Sequence, residues 1–337
     1  MKRTTKNALL ALTASMVAIA SLITQPFVSA QTITSPAVDA QALQAHVNYL
    51  SVDAYPRSAD FPQKLNAAAD YIKDNLTAAG VTVTEQAYEV DGETVRNLVM
   101  YFGPTQGKTL VIGAHYDSHG NAQAAERSGK SHTSDSHTPG ADDNASGVAG
   151  LMELAKLLQK NPPARPVELV AYTLEEPPYF RTADMGSAQH AKNFAANHPN
   201  SSMDLMVSLE MIGYFTDAPD SQDYPIKAMK LLYPNQGNFI TVVGRTSDVG
   251  AVRRVKAALK GETLEVRSIN APASIAGVDF SDHQNYWALN QPAVMVTDTA
   301  FMRNKQYHQA GDTYDKLDYN RMAQVVQGVY RLAQQPL

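Results

Sequence analysis

The chain has 337 residues, with 28 Lys and Arg against 33 Asp and Glu, 44% hydrophobic and 18% charged residues, and no cysteine. A net charge of −5 speaks against nucleic acid or anionic lipid as the main partner, since both demand clustered positive charge. Without cysteine there are no disulfides, thiolate nucleophiles, iron–sulfur clusters or thiolate zinc sites, so any bound metal must be held by imidazole and carboxylate.

The chain opens on a leader rather than on fold. Lys2, Arg3 and Lys6 precede the apolar stretch Ala8 to Ile23, and the small residues Val28-Ser29-Ala30 stand ahead of Gln31. This pattern predicts a secretory signal over residues 1–30, with 31–337 as a single exported domain, periplasmic or secreted. An uncleaved membrane anchor is the alternative, but the apolar stretch falls short of the roughly 20 residues a span needs.

From Val38 to Gly80 the apolar residues recur at helical spacing, with Leu65, Ala68, Ile72 and Leu76 on one face, and predict two leading helices. Extended β-branched and aromatic segments follow at Val81 to Val90, Val95 to Phe102 and Leu110 to Ala114, the last reading as a buried strand. A polar loop from His119 to Pro139, without periodicity, carries His119, His132 and His137; these read as solvated loop residues rather than ligands. Ser146 to Leu158 is helical and ends before Pro162-Pro163. Strand Val167 to Tyr172, helix Gly186 to Asn197 and strand Leu205 to Leu209 continue the alternation. Tyr214 to Gln236 is weakly patterned and could form a flap. Strand Phe239 to Val243, helix Val249 to Leu259, strand Leu264 to Ile269, strand Ala293 to Val296 and helix Tyr319 to Leu332 complete the chain. The expected fold is one α/β domain around a twisted, mostly parallel central sheet with helices on both faces.

In such sheets functional groups gather beyond the carboxyl ends of the strands. The first buried strand is followed by His115-Tyr116-Asp117, the second by Glu175-Glu176 and the third by Glu210-Met211. A turn rich in Gly and Asx, Gly140 to Gly147, runs straight into a helix start, and Tyr307-His308 arrives after the last strand. Two histidines and at least four carboxylates thus come from five separated segments, an all nitrogen and oxygen donor set suited to a pair of ions such as Zn²⁺. Any one of these pieces is commonly a cap or a solvated face; the set in this order is not.

The segments His115-Tyr116-Asp117-Ser118, Pro139 to Gly147, Glu175-Glu176, Ser208 to Gly213, Ser281-Asp282-His283 and Tyr307-His308 resemble those of the exported co-catalytic dizinc aminopeptidases, relatives of glutamate carboxypeptidases, glutaminyl cyclases and the transferrin receptor ectodomain. The resemblance runs from about Lys108 to Leu332 and implies a zinc-peptidase type fold acting on peptides. It implies that Asp142 bridges two zinc ions, with His115 and Glu210 completing one site and Glu176 and His308 the other. It further implies Glu175 as general base, Asp117 as the carboxylate orienting His115, Tyr307 as a group stabilising the tetrahedral intermediate, and Asp282 as a residue lining the substrate site. At the position of Glu210 the family usually has aspartate, which leaves a one-metal enzyme as an alternative. Two other readings stand beside the peptidase. A glutaminyl cyclase would build its pocket from several tryptophans, whereas this chain has Trp287 alone and Tyr307 directly before the late histidine. A non-catalytic binding module would have lost ligands, and here all are present.

Overall fold

The computed structural model describes residues 20–120, 137–198, 200–261 and 263–336; the first nineteen residues of the expected leader and His132 lie outside them. Eight strands form one sheet: β1 (Thr84–Val90), β2 (Glu93–Phe102), β3 (Gly107–His115), β4 (Val167–Tyr172), β5 (Ser201–Glu210), β6 (Phe239–Gly244), β7 (Glu265–Asn270) and β8 (Ala293–Thr297). Their order is β1-β2-β4-β3-β5-β8-β6-β7. The pairs β3–β4, β3–β5, β5–β8 and β6–β7 are parallel, and β1–β2, β2–β4 and β6–β8 are antiparallel. The mostly parallel α/β sheet expected from the alternation is therefore present, with antiparallel strands toward both edges.

Composition explains both kinds of pairing. Asp91 and Gly92 both take positive φ between Val90 and Glu93, the two-residue turn that closes a hairpin in register with strand twist. The central strands read as continuous apolar runs because both of their faces are covered. Leu110, Ile112 and Ala114 of β3 face one core, shared with α1 (Ala40–Asn48), α2 (Pro62–Ala78), α3 (Gly147–Lys160), α5 (Val249–Leu259) and α7 (Tyr319–Ala333). Val111 of the same strand faces the other, shared with α4 (Gly186–Asn197) and α6 (His283–Ala288). Alternation of side chains along a strand makes this division automatic.

The consequence for function lies in the run β4-β3-β5-β8. These neighbours are mutually parallel, so their carboxyl ends share one edge, and His115, Glu175, Glu176, Glu210 and the β8–α7 connection carrying His308 all emerge there. The weakly patterned segment 214–236 holds only a short helical turn, Lys227–Leu231, and walls an apolar cavity at this edge through Gln222, Tyr224, Met229 and Tyr233.

Residues 24–28 pack on the domain. Lys256 Nζ donates to the carbonyls of Thr24 and Gln25, Gln25 is buried and donates to Asn270, and Lys260 donates to Val28. Among the described residues no helix is long and apolar enough to cross a membrane.

Candidate metal centre

His115 closes β3 with its ring fully buried. Its Nδ1 faces Asp117, 3.2 Å from the carbonyl oxygen and 3.4 Å from the carboxylate. Asp117 also accepts from the backbone N–H groups of Glu175 and Glu176, at 3.1 and 2.9 Å, so one carboxylate fixes both the first imidazole and the glutamate pair. The backbone at this edge is unusual: Leu174, Met211 and His308 all take positive φ without being glycine. Each adjoins or is a site residue, and such costly conformations persist where the surroundings over-determine them.

The turn before α3 supplies the residue that joins the two halves, and it is not the one the resemblance implied. Asp143 Oδ1 lies 3.4 Å from His115 Nε2, and Asp143 Oδ2 lies 3.1 Å from His308 Nε2. Asp142 instead points into the protein, accepting from Gly213 N–H at 3.0 Å and Asn304 Nδ2 at 3.1 Å. The cause is local. Gly140 begins the turn at φ 60, where an added Cβ would collide with the Asp143 carbonyl, and Asp143 and Asn144 leave helical geometry at φ −102 and −131. The backbone twist turns Asp143 outward and Asp142 inward. Asp312 accepts from the N–H groups of both aspartates at 3.1 Å, and Asn144 ties the turn to β5 through Leu209 O and Met211 N.

The two halves are now explicit. On one side stand His115, Asp143 and Glu210, whose carboxylate lies 3.4 Å from His115 and accepts from Ser281 at 2.7 Å. On the other stand His308, Asp143 and Glu176, the last 3.4 Å from His308. In each of the groups His115–Asp143–Glu210 and His119–Glu176–His308, one donor atom from every residue lies within 4.8 Å of the others. Glu175 lies 3.9 Å from His115 Nε2 and lines the same cavity as Asp143, Glu176 and His308.

Electrostatics favour a cation here. Burial raises Glu175 well above the usual carboxylate range, His115 only partly offsetting it, and raises Glu176 to about 7 against the pull of His308. Burial also raises Glu210 despite His115. For Asp143 the two imidazoles overcome burial and hold it well below the usual range. Burial opposes charge on His308, yet Glu176 and Asp143 lift it to about 10. Four buried carboxylates cannot all ionise against two imidazoles, whereas divalent cations would supply the missing charge. His115 Nε2 and Glu176 Oε1 are shielded from solvent with no hydrogen-bond partner, as donor atoms awaiting a ligand would be. The residues fit a pair of borderline cations.

Tyr307 stacks on His308 at 3.7 Å between centroids and lines two adjoining cavities, one beside Asp143, Glu175, Glu176 and Glu210, the other apolar, walled by Tyr233, Phe239, Ile269 and Met295. Asp282, expected to line the substrate site, is fully buried and lines neither cavity; Phe280, two residues earlier, lines both. Burial lifts Asp282 to about 7, although nearby His115 lowers it. The loop histidines also differ from expectation. His119 stacks on His308 at 3.8 Å, and burial together with His308 lowers it to about 4. His137 is buried, 3.1 Å from the Ser58 hydroxyl and edge-on to Phe61.

Several supporting residues left no signal in the pattern. Arg57, fully buried, donates to the carbonyls of Leu50, Tyr116, Pro139 and Gly140, clamping the turn after β3 to the turn carrying Asp143. Asn304 and Asp298 complete the surround. A lone Arg between two helices is indistinguishable from a surface residue until its carbonyl partners are placed.

The chain and its fold are similar to those of known proteins. The chain is 50% identical over 309 residues, 91% of its length and 92% of the other's, to "Uncharacterized protein YfbL" of Escherichia coli K12. Its fold is similar to that of a leucine aminopeptidase precursor from Bacteroides thetaiotaomicron, with TM-score 0.66 and 20% identity over 91% of this chain and 100% of that one. It is similar likewise to glutaminyl cyclase of the same organism, with TM-score 0.63 and 20% identity over 90% and 100%. Residues 97–333 match the model of peptidase family M28, and the chain belongs to that family.

Proposed function

We propose that the chain is an exported zinc-dependent aminopeptidase that removes N-terminal residues from peptides. The observation that carries this reading is the shared position of Asp143 between His115 and His308, with Glu210 and Glu176 at the flanks and Glu175 beside them. His115, Asp143 and Glu210 would hold one ion, and His308, Asp143 and Glu176 the other. Zinc held there supplies Lewis acidity, lowering the pKa of water and polarising a carbonyl.

The remaining chemistry belongs to side chains. Glu175 lines the cavity that holds Asp143, Glu176 and Glu210 and ligates nothing in this scheme, so it is free to take a proton from the attacking water. Burial raises its affinity for that proton, which it holds until the leaving amine receives it. Tyr307 lines both cavities, and its hydroxyl would donate toward the oxyanion that develops on the scissile carbonyl. The apolar cavity beside Glu210 and Tyr307 receives the side chain of the residue removed.

A glutaminyl cyclase is the second reading. Trp287, on α6, is buried in the core it shares with α4 and donates to Ala293 O, and it lines neither cavity of the site. Tyrosine and phenylalanine line the cavity instead. The deciding assay compares hydrolysis of aminoacyl anilides with apolar side chains against cyclisation of Gln-peptides by the zinc-loaded protein. Anilide hydrolysis is expected; cyclisation without hydrolysis refutes the peptidase. Export rests on the leader, and cleavage after Ala30 would remove two acceptors of Lys256. The intact mass of the exported chain, expected to begin at Gln31, tests the boundary.

A further inference from the structure

The two halves of the centre are unequal in donors. His115, Asp143 and Glu210 make three on one side. On the other, His119 adds a ring nitrogen to the neighbourhood of Glu176 and His308, within 4.8 Å of a donor atom of each. Its ring lies 3.8 Å from that of His308 with 25° between the planes. Its Nδ1 is shielded from solvent and has no hydrogen-bond partner among the described residues. A shielded imidazole nitrogen left unpaired is unfavourable, and a cation bound through it would relieve that. Its position is also fixed from behind. The His119 carbonyl accepts from Thr138 N–H at 3.1 Å, and Ser118 N–H donates to Arg57 O at 3.3 Å. The next residue, Gly120, runs so close to Ser58 and Asp60 that an added Cβ would lie 2.8 Å from the Asp60 carboxylate.

We propose that His119 is a donor to the ion on the His308 side, giving that side four protein donors (His119, Glu176, His308 and the shared Asp143) against three on the His115 side. This rests on the reading of the centre as a two-ion site. Zinc sites with four protein donors are closed, and those with three keep a position for water or substrate. The His308-side ion is therefore the more tightly held, and the exchangeable position belongs to the His115 side.

The test strips the full-length protein with a chelator and titrates it with Zn²⁺ against a chromophoric competitor, as wild type and as His119→Ala. The expected result is two sites of unequal affinity in the wild type. In the variant the tighter one should weaken by more than about 100-fold, beyond the loss that follows removal of a merely supporting partner, while the weaker is unchanged. Any smaller loss at the tight site overturns the assignment while leaving the peptidase reading intact. A wild type that binds no zinc overturns the two-ion reading beneath it. Should His119→Ala misfold, X-ray absorption of the zinc-loaded wild type decides: three imidazoles shared over the two ions support the proposal, and two overturn it.

Discussion

The His115 and His308 halves of the candidate centre are built differently. His115 ends a central strand, has no solvent exposure and is backed by Asp117, and its partner Glu210 ends the neighbouring strand with Ser281 behind it. His308 sits on the connection after β8, at positive φ, with its side chain 23% exposed and rings of Tyr307 and His119 packed on it. One half takes its precision from the sheet, and the other from a loop pinned by stacking and by its neighbours. Asp143 belongs to neither: it reaches both from a turn held by Asp312, Asn144 and the Arg57 clamp.

The largest effect separates chemistry from binding in either half. Glu175→Gln should lower kcat by about 10² to 10⁴-fold, the range for a lost general base, with zinc content unchanged. Loss of zinc in that variant would show that Glu175 is a ligand and that the division into halves is wrong. The next effect is confined to one half. Ser281→Ala removes the hydroxyl that holds Glu210 and should weaken the His115-side ion by about 10 to 100-fold without touching the other, as a competitive zinc titration reads. Equal weakening at both ions would break the comparison.

Asp142→Ala addresses the turn itself. It leaves the Gly213 N–H and the Asn304 amide without their buried acceptor and should cost about 1–3 kcal/mol of stability in urea unfolding, while the zinc-loaded variant still binds both ions. The smallest effect is on pH dependence. Burial, with Asp142 as the next cause, raises Asp312 to about 7 in the folded state, against about 4 in the unfolded chain. Between those values the folded protein binds the extra proton, so this group's contribution to stability falls as pH rises from about 4 to about 7. Asp312→Asn should flatten that slope in chelator-treated protein; an unchanged slope would remove Asp312 from the account.

Much of this was legible in the residues. β4, α4 and α5 coincide with the segments 167–172, 186–197 and 249–259 expected from periodicity, because apolar spacing and burial on two faces are written into the strands and helices directly. The ends of those strands then located His115, Glu175, Glu176 and Glu210 at one edge. What pattern could not supply was orientation within irregular backbone. Asp142 and Asp143 are adjacent carboxylates in a turn with no period, and only the kink at Asp143 and Asn144 decides which one faces the imidazoles. The same holds for His119, set in a polar loop, and for Asp282, whose motif borders the site while its side chain is buried away from the cavities.

The central claim is that Asp143 is shared between two ions flanked by His115 and His308. The most direct test is anomalous diffraction at the zinc edge from crystals of the zinc-loaded protein. The account predicts two peaks, one on either side of the Asp143 carboxylate. A peak beside Asp142, or no peak between the two imidazoles, would contradict it.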